Sequence, residues 1–98
     1  MARTPNTDRG GTTFGLVTQE LVWLQAIIIS TEDKNECRLD RCGTKIRRGE
    51  FGKAVACGWE IDHIKPIARG GTDDPLNLEA LHWRTNREKG DAYPWDCR

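Results

Sequence analysis

Trp59-Glu60-Ile61-Asp62-His63-Ile64, followed by Lys65-Pro66, is the stretch on which the reading of this chain turns. Large apolar residues alternate with polar ones at the two-residue period of a strand, and Pro66 ends the run because proline has no N–H to give to a ladder. On such a strand Asp62 and His63 point to opposite sides, so one cleft receives both only at the strand's end, where the pleat relaxes. Ala68 to Leu76, containing Gly70-Gly71 and Pro75, then reads as a loop. Leu78 and Leu81 indicate a short second strand, and Trp83 to Lys89 a short helix stopped by Gly90. The local order is strand, loop, strand, helix.

Between residues 62 and 89 the chain therefore places Asp62, His63, Asn77, His82, Asn86 and Lys89, a dense set of proton-transfer and metal-binding groups. If His82 and Asn86 share the helix, their spacing of four puts them on one face, where both could look at the same ion as Asp62. That arrangement suits a single divalent cation.

Asp62-His63-Ile64-x-Pro66, Gly70-Gly71, Asn77-Leu78 and Asn86-x-x-Lys89-Gly90 together resemble the HNH endonuclease motif, over Gly58 to Asp91. Arg41-Cys42-Gly43 and Ile46 upstream, and Tyr93-Pro94-Trp95 downstream, also resemble flanks of small bacterial and phage-type members of that family. The resemblance implies an α+β domain of the ββα-metal type with an N-terminal helix and a preceding basic hairpin. It implies hydrolysis of DNA phosphodiesters with one divalent ion, Mg²⁺ or Mn²⁺, as cofactor. His63 is then the general base, since a neutral imidazole can take a proton from water near neutral pH. Asp62 offers a hard carboxylate oxygen to the ion, and Asn86 a neutral amide oxygen that leaves the ion's charge high. Asn77 is similar to the central asparagine that braces the loop behind the base. His82 is the third ligand, or a histidine bonded to a phosphate or to its own backbone at the helix start. Arg87, Lys89, Lys65 and Arg69 are the expected phosphate contacts.

The cysteines depart from the commonest family pattern, which holds a structural zinc between two Cys-x-x-Cys pairs. Cys37, Cys42, Cys57 and Cys97 form no such pair. A zinc site of Cys37, Cys42 and Cys57 with His82 or Cys97 is the minor alternative, and buried thiols packing as small hydrophobes are preferred. Disulfides lose weight in the cytoplasm, the expected compartment. Trp23, Trp59, Trp83 and Trp95 are expected to supply the missing glue as core residues.

The rest of the chain bounds this reading. At 98 residues, 37% hydrophobic and 31% charged, it has room for one domain with a thin core. Residues 1–17 read as a flexible arm and 18–98 as the endonuclease domain. Thr18 is expected to cap a helix over 19–29 whose apolar face runs Leu21, Val22, Leu24 and Ile28. A short hairpin is expected around Lys45-Ile46-Arg47-Arg48. No stretch is long and apolar enough to span a membrane. Fifteen bases against fifteen acids cancel overall, yet Cys37 to Arg69 carries eight bases against four acids, a local field for DNA. A non-catalytic nucleic-acid-binding module and a toxin-type nuclease are the rivals. The resemblance also allows a phage packaging accessory working beside a terminase or another partner protein.

Overall fold

A computed structural model describes residues 4–97. Its centre is the antiparallel pair β4 (Trp59–His63) and β5 (Leu78–His82), in which Trp59 faces His82, Ile61 faces Ala80, Asp62 faces Glu79 and His63 faces Leu78. All five residues of β4 are buried, because a helix covers each face of the pair. On one face Trp59, Ile61, Leu78 and Ala80 pack with Val22 and Trp23 of α1 (Leu16–Gln25), together with Phe14 and Ile46. The indoles of Trp23 and Trp59 meet at 5.5 Å between centroids and are each 1% exposed. Rings of this size bury roughly 150–250 Å² apiece, so this pair dominates the small core. On the other face Glu60 and Asp62 look toward α2 (Trp83–Lys89). The apolar and the charged halves of the strand's alternation thus each have their own helix.

The second sheet is antiparallel, in the order β1 (Ile27–Ile28), β2 (Cys37–Leu39), β3 (Lys45–Arg47). The described residues form an α+β unit, with two α-helices and two antiparallel sheets. Asp40, fully buried, ties this sheet to the central pair. Its Oδ1 accepts the N–H groups of Cys42 and Thr44 in the hairpin turn, and its Oδ2 accepts that of His82 at 2.9 Å.

Several expectations are corrected here. The first helix starts three residues before the expected 19, with Gly15 at its N-cap and not Thr18, and it ends at Gln25. Ile27-Ile28-Ile29 is β-branched, which suits a strand, and the first two pair with Leu39 and Arg38 of β2. The inward residues are Val22 and Trp23, while Leu21, Leu24 and Ile28 are exposed. The basic middle segment also spends charge internally. Arg38, only 3% exposed, donates to the carbonyls of Leu24, Ala26 and Lys34 and closes the end of α1. Arg41 pairs with Glu79, Lys45 with Glu32, and Arg48 with Glu20.

Residues 1–3 of the expected flexible arm lie outside the described residues, but 4–14 are docked on the domain. Thr7 and Thr13 form an antiparallel bridge, and Asn6, Thr7 and Phe14 are buried. The physical reason is the open edge of β4, whose backbone donors need partners. Asn6 Oδ1 accepts the Ile61 N–H at 2.6 Å, and Gly52 N–H donates to Trp59 O at 2.9 Å.

Cys42 and Cys97 form a disulfide with a Cα separation of 5.4 Å. This corrects the reading of all four cysteines as thiols and removes two donors from the alternative zinc set. Cys37 and Cys57 remain free. Arg41 lies beside the bridge, donating to Trp95 O and stacking over its ring, so the C-terminal segment rests on the β2–β3 hairpin. Among the described residues no helix is long and apolar enough to cross a membrane.

Candidate active site

The layer between β4 and α2 is built of charge. Glu60 accepts from Asn86 Nδ2 at 2.9 Å and from Arg87 Nη2 at 2.9 Å. Two positions along the strand, on the same face, Asp62 meets Lys89 Nζ, which lies 3.3 Å from Oδ1 and 3.2 Å from Oδ2 and also donates to His63 O at 3.1 Å. The 3.2 Å approach lacks hydrogen-bonding geometry, so Oδ2 is buried without a donor, as is Oε2 of Glu79 directly opposite. Burial, then the Glu79 carboxyl, push the Asp62 carboxyl up to about 8 from an ordinary 3.8, against the pull of Lys89. Two carboxyls and one ammonium in a nearly dry layer favour one shared proton.

His63 emerges on the opposite face at the end of the same strand. Its Nε2 lies 2.8 Å from Asp73 Oδ1, and its ring tilts against Phe14 with centroids 5.7 Å apart. Asn77 fixes the loop between the strands. Its Oδ1 accepts from Lys65 N at 2.8 Å, its Nδ2 donates to the carbonyls of Lys65 and Thr72, and its own carbonyl accepts from Ile64 N. The loop can close this tightly because of its glycine pair. Gly70 has φ +89°, and a Cβ at Gly71 would stand 1.7 Å from the Lys65 carbonyl oxygen.

A pocket of about 170 Å³ opens where these parts meet, and Asp62, His63, Asn86 and Arg87 all line it. Thr4 to Thr7 form part of its wall, so the docked N-terminal segment belongs to the site. The residues expected on opposite faces of the strand therefore do reach one cleft at its end.

Other expected site residues are placed elsewhere. His82 sits three positions along β5 from Glu79, the residue facing Asp62, and so lies about 10 Å from it at strand spacing. Both its ring nitrogens are engaged by the chain: Nε2 donates to Ala56 O at 2.9 Å, and Nδ1 accepts from Arg84 N as the N-cap of α2. A third-ligand role for His82 is thereby corrected to a structural one. Lys89 is corrected likewise, since its side chain is 1% exposed and turned to Asp62, away from any phosphate outside. Lys65 and Arg69 are exposed near the loop mouth, with Arg69 Nε 3.4 Å from Asp91 O, and Arg87 keeps 54% of its side chain exposed beside Glu60.

Among the described residues no three His, Cys, Asp or Glu side chains group to hold a metal ion. The donors that line the pocket still fit a hard divalent ion. Asp62 Oδ2 is a buried oxygen that no N–H reaches, and Asn86 commits only its Nδ2, to Glu60. Magnesium-type ions use one or two protein oxygens and complete their shell with water and substrate phosphate.

The sequence reading passed over Glu60, Glu79, Asp73 and Asn6. Glu60 had a signal, since it stands two residues before Asp62 on an alternating strand and must share its face. Glu79, Asp73 and Asn6 depend on register and on docking of distant segments, which no local pattern encodes.

The family model described as HNH endonuclease matches residues 37–92, more than half of the chain. Neither a curated protein nor a solved structure matches it.

Proposed function

The chain belongs to the HNH endonuclease family, and we propose that it is a divalent-metal-dependent endonuclease that hydrolyses DNA phosphodiesters with low sequence specificity. The observation that carries this reading is the meeting of Asp62, His63 and Asn86 at one pocket between the end of β4 and α2. In this reading Asp62 and Asn86 hold the ion. When bound, the ion supplies positive charge to the phosphate oxygens and to the leaving 3′ oxygen. His63 takes a proton from the attacking water, a role worth typically about 10²- to 10⁴-fold in rate. Asn77 keeps the loop closed behind the base through its three side-chain bonds to Lys65 and Thr72.

Arg87, at the pocket wall, and Lys65 and Arg69, on the exposed loop, are the cations placed to meet a DNA backbone. Contacts to phosphate carry no sequence information, and a domain of this size has little surface left for base edges, so specificity is low.

The test is a time course on supercoiled plasmid over a panel of divalent ions, with and without chelator. The expected result is ion-dependent nicking that His63→Ala lowers by at least a hundredfold while duplex binding persists. Cleavage by His63→Ala at the wild-type rate would remove His63 as the base, and chelator-resistant cleavage would remove the ion.

A further inference from the structure

Asp73 is the acid that meets His63, and its placement is built. Thr72 before it is held through its carbonyl by Asn77, and Asp74 after it caps the turn 75–77 by accepting from Leu76 N at 2.9 Å. From the N-terminal segment, the Arg9 N–H donates to both carboxylate oxygens of Asp73 at 3.0 Å. The Arg9 turn is itself closed by Asp8, which accepts from Gly11 N and Thr12 N. Two separate stretches of chain, the N-terminal turn and the 72–77 loop, thus place one carboxylate and aim its Oδ1 at the imidazole 2.8 Å away.

That contact fixes a proton. A carboxylate accepting the Arg9 N–H accepts from the ring as well, so Nε2 must carry the hydrogen. In the neutral ring Nδ1 is then bare, and it makes no hydrogen bond among the described residues. Phe14 packs against the ring and resists its rotation. Asp73 is not among the residues that line the pocket, whereas His63 is, so the carboxylate holds the ring from outside the cleft.

We propose that Asp73 is a positioning residue that locks His63 in the Nε2–H tautomer and leaves Nδ1 as the atom that receives the proton of the attacking water. The inference rests on the nuclease reading for its catalytic meaning. In the step concerned, a water O–H bond breaks and its proton goes to Nδ1 as the water oxygen bonds to phosphorus. The P–O3′ bond breaks, and the 3′ oxygen takes a proton from solvent. Asp73 touches neither water nor phosphate. It holds the ring and offsets the imidazolium charge that forms.

The chain has two histidines, which makes the tautomer directly readable. The probe is a long-range ¹H–¹⁵N spectrum of the labelled 98-residue chain, without metal or DNA, at about pH 9. His82 is an internal reference, because donation to Ala56 O and acceptance from Arg84 N fix it as Nε2–H. Wild-type His63 is expected to show the Nε2–H pattern. Asp73→Ala should give a mixture of both tautomers and at least a tenfold fall in kcat for plasmid nicking, with KM changed less than twofold. Asp73→Asn, isosteric with the wild type, can either accept from Nε2–H or donate its amide to a bare Nε2, so it too should lose the single Nε2–H pattern, and it safeguards the test should the alanine variant fold poorly. An Nδ1–H pattern in the wild type, or an unchanged tautomer in Asp73→Ala, overturns the proposal. Absence of nicking by the wild type sinks the nuclease reading instead, and leaves the Asp73–His63 contact still measurable by the same spectrum.

Discussion

Lys89 Nζ and Asp62 Oδ2 lie 3.2 Å apart with side chains 1% and 8% exposed, which makes the lysine the inner counter-charge of the proton-sharing Asp62–Glu79 pair. Taking two such groups out of water is costly, and removing one partner leaves the other uncompensated. Lys89→Met is therefore expected to destabilise the metal-free domain by about 3–5 kcal/mol, read by urea denaturation. A loss under 1 kcal/mol would mean that the pair is far more hydrated than its burial indicates.

The same layer makes stability depend on pH in a defined direction. Asp62 titrates near 8 in the folded chain against an ordinary 3.8, so between those values the folded state holds a proton that the unfolded state has released. The stabilisation is fully present below about pH 4 and is lost as pH rises through about 8. Asp62→Asn cannot titrate. Its stability relative to wild type should therefore climb from pH 5 to pH 9, by at most about 1.4 kcal/mol per unit. Denaturation curves of the two proteins at matched pH give the difference directly, and a pH-independent difference would mean that the carboxyl ionises at its ordinary value.

The order strand, loop, strand, helix was legible because each signal there is local: alternation over Trp59 to Ile64, the breakers Pro66 and Gly70-Gly71, and Gly90 at the helix end. Observed bounds of Trp59–His63, Leu78–His82 and Trp83–Lys89 follow those signals closely. Asp62, His63 and Asn86 reach the same pocket for the same reason, being fixed by spacing along short regular elements. What the sequence hid is tertiary. Arg38 and Lys89 are bases by composition, but one closes a helix end and the other a buried carboxylate. Leu21 and Ile28 match a helical stripe as well as Trp23 does, and only packing decides between them. Asn6 has no signature until the unpaired edge of β4 is seen to need an acceptor.

The Cys42–Cys97 bridge closes a sequence separation of 55 residues, tying the C-terminal segment to the β2–β3 hairpin. Cross-links over loops of that length typically contribute about 2–4 kcal/mol, mainly by restricting the unfolded chain. Cys97→Ser is expected to lower stability by that amount under non-reducing conditions. Added dithiothreitol should lower wild-type stability to the same level and leave the variant unchanged. A reductant-insensitive wild type would show the bridge to be absent in solution.

The docking of residues 4–14 predicts that Asn6 stabilises the site as well as the fold. Its Oδ1 is the acceptor for the Ile61 N–H at 2.6 Å, one residue from Asp62, and Asn6 itself lines the pocket. Asn6→Ala leaves a buried backbone donor unmet, which costs about 1–3 kcal/mol. Because the strand end carries both Asp62 and His63, nicking should fall along with stability. Asn6→Asp, which keeps an acceptor for Ile61 N–H, should recover most of the loss in the denaturation midpoint. If both variants unfold at the wild-type midpoint, the N-terminal segment is not the cover of the β4 edge, and the strand must find its partner elsewhere.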